Sequence, residues 1–281
     1  MISKEKIREL EGTARKLRQH IIEMTCAAAS GHPGGSLSAA DIVTVLYFYK
    51  MKHNPKDPGW ADRDRFVMSK GHAAPVLYAA LAEAGYFPVK YLKTLRRIGS
   101  SLQGHVDMVA LPGIEMSTGS LGQGLSAANG MALAGRLDRK TYRVYCLMGD
   151  GECHEGQIWE AAMTASHHKL DSLTAIVDHN KYQIDGKVEE IKSLQPFGEK
   201  WKAFGWQVFS CDGHNMRSII ENLEKAEKVK GKPSIIIAET VKGKGVSFME
   251  EKPLDYHGRA PTPEEEKKAL AELCHVKEFE V

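Results

Sequence analysis

The sequence predicts an α/β fold, a parallel sheet with helices on both of its faces. Short β-rich runs alternate along the chain with helical patterns, which is the order that parallel sheets require. Several of these runs are apolar at nearly every position, as in strands that are covered on both faces. We find no internal repeat and no interior linker in the sequence, so we expect a single domain over residues 1–281.

Residues 1–60 predict N-terminal helices. Within 4–29, apolar residues recur every three or four positions and form the single stripe of an amphipathic helix. A Gly- and Pro-containing loop at 30–35 ends this helix. Ser38, with Asp41 three residues later, then predicts a capping box at the start of a second, largely buried helix.

Strands and helices alternate over the rest of the chain. The predicted strands are 64–69, 143–148, 172–178, 206–211 and 234–239, and the helices among them are 72–85, 125–138, 155–168 and 215–229. The helix after Gly124 is rich in Ala and Gly, and such small side chains allow close packing against another element. Thr262 as a cap, with Pro263 in the first turn, predicts a C-terminal helix over 262–275.

The composition gives no reason to expect nucleic acid or a membrane as a partner. The chain carries 38 basic and 36 acidic residues, a formal net charge of +2. No run approaches the roughly 18 apolar residues of a membrane span, and the charged N-terminus lacks the apolar core of a signal peptide. Five cysteines, an odd number without a CxxC pair, favour reduced thiols and therefore a cytoplasmic location.

Gly-rich or polar loops follow three of the predicted strands. In a parallel sheet such loops meet at one edge, where ligands bind. The loops are Gly149-Asp150-Gly151, 178–182 and 242–245. The Asp150 carboxylate and the Asn180 amide oxygen are hard ligands of the kind that Mg²⁺ binds beside phosphate oxygens, and a backbone carbonyl near Tyr182 could supply another. Turn formation alone would also place Gly and Asp here, but the two loops together predict a magnesium–diphosphate site.

These residues resemble a motif of the transketolase-like enzymes. Gly149-Asp150-Gly151, followed after 28 residues by Asn180, is similar to their thiamine-diphosphate motif. Further segments resemble transketolase in order and spacing, namely Ser30 to Gly34, Ser69 to Ala73, Gly104-His105 and Ser117 to Gly124. The matches together cover residues 30–260. The resemblance implies a thiamine-diphosphate-binding domain of the PP type, which is the type that holds the diphosphate end of the cofactor.

The resemblance also implies roles at the diphosphate end. Asp150, Asn180 and the carbonyl of Tyr182 would hold Mg²⁺ on the diphosphate, and Gly151 would approach the phosphate closely. Lys244 could neutralise phosphate charge, although a lysine in a Lys/Gly loop is also often solvated surface.

Further residues match family positions at the other end of the cofactor or near the substrate. Gly119 and Leu121 would border the aminopyrimidine ring. Four histidines would lie near the diphosphate or the hydroxyl groups of the substrate, and we expect them to be catalytic: His32, His72, His105 and His257. Imidazole suits this work because it donates or accepts protons near neutral pH. A histidine in such a loop can also serve only to cap a helix.

By this resemblance the chain is the N-terminal subunit of a split transketolase, a transferase of the pentose phosphate pathway. It would move a two-carbon ketol unit from a ketose phosphate to an aldose phosphate. Alternatives are a subunit of a deoxyxylulose-phosphate-synthase-like enzyme, a transketolase for an unusual sugar, or a non-catalytic paralogue. A nucleotide-dependent dehydrogenase is disfavoured, since no GxGxxG follows a predicted strand.

The resemblance implies a partner subunit. Family members use a glutamate from a second α/β domain against the aminopyrimidine ring, and residues 261–281 predict only a charged helix and a tail. We therefore expect a C-terminal transketolase subunit that supplies the aminopyrimidine-binding domain, in an α₂β₂ assembly. The Ala- and Gly-rich helix after Gly124 could form a subunit contact or pack within the core.

Overall fold

A parallel five-stranded sheet forms the centre of the molecule. A computed structural model describes residues 2–274. The strands are β1 (Arg65–Met68), β2 (Val144–Gly149), β3 (Leu173–His179), β4 (Gln207–Asp212) and β5 (Ser234–Glu239). Their order across the sheet is β1-β2-β3-β5-β4, and every neighbouring pair is parallel. The last strand in the chain therefore lies between its two predecessors.

Eleven α-helices of the described residues surround this sheet. They are α1 (Lys4–Ala28), α2 (Pro33–Ser38), α3 (Ala40–Val45), α4 (Ala74–Glu83), α5 (Gln123–Leu137), α6 (Gly156–His167), α7 (Val188–Lys192), α8 (Phe197–Ala203), α9 (Met216–Lys228), α10 (Ser247–Glu251) and α11 (Pro263–Cys274). Shorter 3₁₀ turns include 71–73, which two residues separate from the end of β1, and 151–154, which one residue separates from the end of β2.

Each face of the sheet is covered by its own hydrophobic core. Successive strand residues point to opposite faces, and in β2 the side chains of Tyr145 and Leu147 join one core while Cys146 and Met148 join the other. Helices α1, α3, α4 and α9 contribute to the first core, and α5, α6 and α8 to the second. The predicted fold class, with helices on both faces, is confirmed.

The predicted capping box at Ser38 is wrong. Two short helices, α2 and α3, meet at Ala39, and α3 has no side-chain cap. The Ser38 hydroxyl instead donates to Asp178 Oδ2 at 2.6 Å, and Asp41 forms a buried ion pair with Arg18. Both side chains have partners from distant parts of the chain, and a pattern of local spacing does not reveal these.

The C-terminal helix begins with the predicted cap. Thr262 N donates to a Glu265 carboxylate oxygen at 2.8 Å, and Glu265 N donates back to Thr262 Oγ1 at 3.2 Å. Residue 275, the predicted last residue of this helix, lies outside the described residues. The five cysteines are free thiols. Within residues 2–274, no helix has the length and apolar character needed to cross a bilayer.

Candidate active site

Loops from four strands meet at the carboxyl edge of the sheet, because all strands run in the same direction. Side-chain contacts join these loops. Lys70, after β1, forms a buried ion pair with Asp178 at the end of β3, and Thr240, after β5, donates to the same carboxylate. The Lys70 ammonium also donates to the Gly35 carbonyl in α2 at 2.8 Å. Asp178 therefore links β1, β5 and the N-terminal helices at this edge.

Asp150 lies at this edge as a buried carboxylate. Its side chain accepts hydrogen bonds from the backbone N–H groups of Gly151, at 2.7 Å, and Lys181, at 2.5 Å. Only 1% of Asp150 is exposed, and within residues 2–274 it has no salt bridge. Burial, and secondly the nearby Asp178 carboxylate, raise the pKa of Asp150 to about 6. A cation bound here would offset the cost of this buried charge.

The Asn180 side chain has a fixed orientation beside Asp150's loop. Its Nδ2 donates to Asp178 Oδ2 at 3.1 Å, and its Oδ1 accepts from the backbone N–H of Tyr182 at 3.2 Å. Although burial opposes it, the Lys70 ammonium holds the pKa of Asp178 below its usual value, so Asp178 remains an acceptor. The amide oxygen of Asn180 is thus directed away from Asp178 and keeps a lone pair for a further ligand.

The side chain of Lys242, rather than that of the predicted Lys244, is directed towards the loop after β3. The Lys242 ammonium donates to the Tyr182 carbonyl at 3.2 Å and to His257 Nδ1 at 2.6 Å. Burial lowers the pKa of Lys242 to about 8. The Lys244 ammonium instead lies 3.9 Å from a Glu250 carboxylate oxygen and is partly exposed. The Tyr182 carbonyl, predicted as a metal ligand, therefore already has one hydrogen-bond donor.

The four predicted histidines come together although they lie far apart in the sequence. The ring centroid of His32 lies 5.2 Å from that of His72, 5.7 Å from that of His257 and 6.2 Å from that of His105. The His72 and His257 rings are stacked at 5.5 Å. His32 is thus the centre of a cluster of four imidazoles, which we call the histidine cluster.

Burial lowers the pKa of all four imidazoles of the histidine cluster and thus favours their uncharged forms. It lowers the pKa of His32 to about 4, with a further contribution from Arg96, and that of His257 to about 3, with a contribution from Lys242. The pKa of His72 falls well below its usual value for the same main reason. Neutral imidazoles offer one hydrogen-bond donor and one acceptor each, so they can bind hydroxyl groups.

At the glycines predicted to contact the cofactor, the absence of a side chain lets the backbone lie close to neighbouring side chains of the protein. At Gly119, an added Cβ would lie 3.2 Å from Cδ2 of the His105 ring. At Gly151, it would lie 2.9 Å from the Cβ of Gln183. Leu121, two residues after Gly119, is partly exposed at the same loop. The structure therefore brings this loop beside the histidine cluster, and the turn at Gly151 beside the loop after β3.

Sequence reasoning missed several residues of this site. Lys70 and Asp178 lie in or beside segments that resemble transketolase, but a buried ion pair has no signature in one sequence. Arg96 lies in no motif. Its guanidinium donates to Ser30 Oγ at 2.9 Å and to the Gly104 carbonyl at 3.1 Å, which joins the two loops that carry His32 and His105.

This donor set fits a diphosphate that carries a divalent cation. The buried Asp150 carboxylate lacks an ion pair in the described chain, and the Asn180 amide oxygen lies in the adjoining loop. Two buried ammonium groups lie near the same edge. Lys70 is paired with Asp178, whereas Lys242 forms no ion pair within the described residues. Hard oxygen ligands for the metal and ammonium groups for phosphate oxygens are the groups that such a ligand requires.

Comparison with known proteins gives one consistent family. The family described as "Transketolase, thiamine diphosphate binding domain" matches residues 10–281. The chain is 51% identical over 265 residues to the 6-deoxy-6-sulfo-D-fructose transketolase subunit of Clostridium sp. strain MSTE9, covering 94% of this chain and 96% of that protein. It is 43% identical over 267 residues to an apulose-4-phosphate transketolase subunit of Phocaeicola vulgatus, covering 95% and 94%.

Solved structures agree with this result. The transketolase of Campylobacter jejuni superposes with a TM-score of 0.88 at 36% identity, and covers 97% of this chain and 43% of its own. The transketolase of Leishmania mexicana gives a TM-score of 0.88 at 33% identity, with 97% and 42% covered. The chain therefore spans less than half the length of these solved transketolases.

Proposed function

The chain belongs to the transketolase family of transferases, as its thiamine diphosphate binding domain, and from this we propose a function for its site. The chain acts as the N-terminal subunit of a two-subunit transketolase, and with Mg²⁺ it holds the diphosphate end of the cofactor. The enzyme transfers a two-carbon ketol unit from a ketose phosphate to an aldose phosphate. The observation that carries this proposal is the histidine cluster beside the loops of Asp150 and Asn180 at one sheet edge.

Different residues of the site serve the metal and the phosphate. In this proposal the Asp150 carboxylate, the Asn180 amide oxygen and the Tyr182 carbonyl bind Mg²⁺, and Gly151 lets the backbone approach a phosphate oxygen. Lys242, whose ammonium group donates to that same carbonyl, is better placed than Lys244 to neutralise phosphate charge. When bound, thiamine diphosphate supplies the ring that stabilises a carbanion on the two-carbon unit.

The histidine cluster binds the substrate and moves its protons. Because the Lys242 ammonium donates to His257 Nδ1, the proton of the neutral His257 ring is on Nε2, where it can be donated to a ligand. His32, His72 and His105 offer further neutral imidazoles to the hydroxyl groups of a sugar. Groups of this kind contribute about 10²- to 10⁴-fold each when they transfer a proton in the transition state.

A partner subunit completes the site in this proposal. The relatives from Clostridium and Phocaeicola have names that describe subunits, and this chain covers 96% and 94% of their lengths. We propose a C-terminal transketolase subunit that supplies the aminopyrimidine-binding domain, in an α₂β₂ heterotetramer. The cytoplasmic location and the place in the pentose phosphate pathway remain predictions from the sequence.

A transketolase for an unusual sugar is the second candidate. The names of the two bacterial relatives specify a sulfonated deoxyketose and apulose 4-phosphate, whereas the solved relatives are described only as transketolases. The histidine cluster binds hydroxyl groups, which ordinary and unusual ketoses share. The cluster therefore supports ketol transfer without specifying the substituent at the far end of the donor.

A donor panel tests both candidates. The chain, its partner subunit, thiamine diphosphate and MgCl₂ are incubated with an aldose phosphate acceptor and one ketose at a time: xylulose 5-phosphate, fructose 6-phosphate, 6-deoxy-6-sulfofructose or apulose 4-phosphate. We expect at least one donor to give the acceptor lengthened by two carbons, identified by mass spectrometry. The donor with the highest kcat/KM identifies the substrate. A complex that binds the cofactor but transfers from none of these donors would favour the non-catalytic paralogue.

A further inference from the structure

Glu152 is a buried carboxylate that joins three separate segments of the site. It lies in the 3₁₀ turn after β2, and only 2% of it is exposed. One of its oxygens accepts from the Ser69 hydroxyl at the end of β1 and from the backbone N–H of Gly122 at 2.9 Å. The other accepts from the backbone N–H of Gly149 at 3.0 Å. Within residues 2–274, Glu152 forms no salt bridge.

Two of these donors, Gly149 and Gly122, lie at the two ends of the proposed cofactor site. Gly149 directly precedes Asp150 and Gly151 in the turn that would hold the diphosphate. Gly122 is the N-cap residue of α5 and follows Gly119 in the loop that would border the aminopyrimidine ring. A single carboxylate therefore connects the diphosphate turn to the aminopyrimidine loop, which are 25 or more residues apart in the sequence.

The aminopyrimidine loop also packs tightly against the end of β1. Thr118 Oγ1 donates to the Met68 carbonyl at 2.6 Å, and a Cβ at Gly71 would lie 2.5 Å from Thr118 Oγ1. A Cβ at Gly124 would overlap the Ser69 side chain. The loop is thus anchored to β1 on one side. Glu152 provides a side-chain connection from this anchored unit to the end of β2, and Gln123 at the start of α5 also exchanges hydrogen bonds with Gln157 in α6.

We propose that Glu152 is a positioning residue, which sets the separation between the diphosphate turn and the aminopyrimidine loop so that both ends of thiamine diphosphate fit. This inference rests on the proposed function. Glu152 needs no contact with the cofactor in this role. Two rigid loops at the correct distance bind a long ligand with little loss of conformational freedom, whereas loops that move independently must be ordered on binding.

The Glu152→Gln substitution tests this connection at nearly constant volume. Its amide has one acceptor oxygen and one NH₂ group, so in either orientation an NH₂ group faces a donor that the carboxylate now accepts from. Either Gly122 or Gly149 therefore loses its hydrogen bond to residue 152. The measurements use the full chain in complex with its partner subunit, in saturating MgCl₂. The probes are thiamine diphosphate, which spans both loops, and inorganic pyrophosphate, which contacts only the diphosphate turn.

We expect Glu152→Gln to raise the Kd of thiamine diphosphate about tenfold or more, equivalent to about 1.4 kcal/mol. The Kd of pyrophosphate should change less than about threefold, since Asp150 keeps its backbone hydrogen bonds. Hydrogen exchange of the amides in 119–124 should become faster. An equal loss for both probes, or no loss for either, would overturn the proposal. If the unsubstituted complex does not bind thiamine diphosphate, the proposed function fails rather than this inference.

Two further variants make the test specific. Glu115→Gln changes another mostly buried glutamate, which is paired with Arg63, and should leave both Kd values within twofold of the unsubstituted complex. Ser69→Ala removes one of the three donors without changing the carboxylate and serves if Glu152→Gln does not fold. It should raise the Kd of thiamine diphosphate about threefold, and speed exchange in 119–124. An unchanged Kd with unchanged exchange in Ser69→Ala would also overturn the proposal.

Discussion

Asp150 brings a buried negative charge into the protein, and within residues 2–274 it forms no salt bridge. Two backbone hydrogen bonds stabilise this charge, and the nearby Asp178 carboxylate opposes it. The Asp150→Ala variant should therefore fold with little change in Tm, because removal of the unbalanced charge offsets the lost hydrogen bonds. It should bind Mg²⁺–thiamine diphosphate at least tenfold more weakly in calorimetric titration of the reconstituted complex. An unchanged cofactor affinity would exclude Asp150 as a metal ligand.

His105 lies at the edge of the histidine cluster and against Gly119. The His105→Ala variant should keep its cofactor affinity, because the proposed metal ligands lie in other loops. Turnover should fall about 10²- to 10⁴-fold if the imidazole transfers a proton to or from the substrate. Steady-state kinetics with saturating cofactor measures this loss. Normal turnover with every sugar pair would leave His105 with a structural role only.

The buried histidines make the stability depend on pH. The pKa of His257 is about 3 in the folded chain and about 6.5 when unfolded, so between these values the unfolded chain binds the extra proton. The contribution of the uncharged His257 ring to the free energy of unfolding is fully present above about pH 6.5, and it is lost as the pH falls towards about 3. His32 and His72 act in the same direction.

Urea titrations at two pH values test whether the protein becomes less stable as the pH falls. The midpoint concentration should be lower at pH 5 than at pH 7.5, and the difference should be smaller in His257→Asn. His168→Asn, at an exposed position, is the matched control and should retain the full difference. A His257→Asn variant with the same pH dependence as the unsubstituted chain would contradict the assignment.

The sequence indicated candidate residues of the site but not the partners that hold them. Asp150, Asn180 and the four histidines were proposed from positions that resemble the family's motifs, and the structure brings them to one edge of the sheet. Lys244 was predicted from its Lys/Gly loop, but it is partly exposed, whereas Lys242 is buried. Both lie in one Lys/Gly loop, and which side chain is buried depends on how Gly243, with φ of +85°, turns the backbone. Arg96 was missed because its contacts are tertiary.

At the scale of elements, the strands were predicted more accurately than the N-terminal helices. The strand predictions rest on continuous apolar runs, which buried parallel strands require. The second predicted helix is in fact α3 followed by a π-helical turn over 46–50, and α2 begins at Pro33, inside the segment 30–35 that was predicted as a loop. These segments are buried almost throughout, so the contrast between polar and apolar faces that marks a helix end is absent.

Helix α5 presents small and apolar residues to solvent as well as to the core. Ala134 and Leu137 are exposed, and a Cβ at Gly130 would meet open space. The sequence left a subunit contact and core packing open for this helix, and the exposed small and apolar residues favour the subunit contact. Gly130→Arg should leave the isolated chain folded, since Arg favours helices more than Gly does, but it should weaken assembly.

Light scattering of the reconstituted complex measures this effect. The matched control is Gly12→Arg in α1, where an added Cβ also meets open space. We expect a smaller molar mass for the Gly130→Arg complex and the full mass for the control. Full assembly of both variants would favour ordinary core packing as the reason for the small residues of α5.

At the scale of the whole molecule, this chain supplies one half of the proposed cofactor site. The purified chain should show no ketol transfer with saturating thiamine diphosphate and Mg²⁺, and addition of the partner subunit should restore it. The proposed α₂β₂ mass can be measured on the same sample by native mass spectrometry. Turnover by a preparation that mass spectrometry shows to contain no second subunit would overturn the two-subunit proposal.

The position of β5 between β3 and β4 has a consequence for biosynthesis. Strand β4 pairs only with β5 in this sheet, so β4 leaves the ribosome before its hydrogen-bonding neighbour exists. Until then, β3 and β4 expose unpaired edges of the kind that lead to aggregation. Thr240 and Lys242 follow β5 and complete the contacts of Asp178 and Tyr182. In a nascent chain, the contacts of Asp178 and Tyr182 at the carboxyl edge of the sheet can therefore form only after residue 242 has been synthesised. Until β5 has been synthesised and paired, we expect the growing chain to need protection from aggregation.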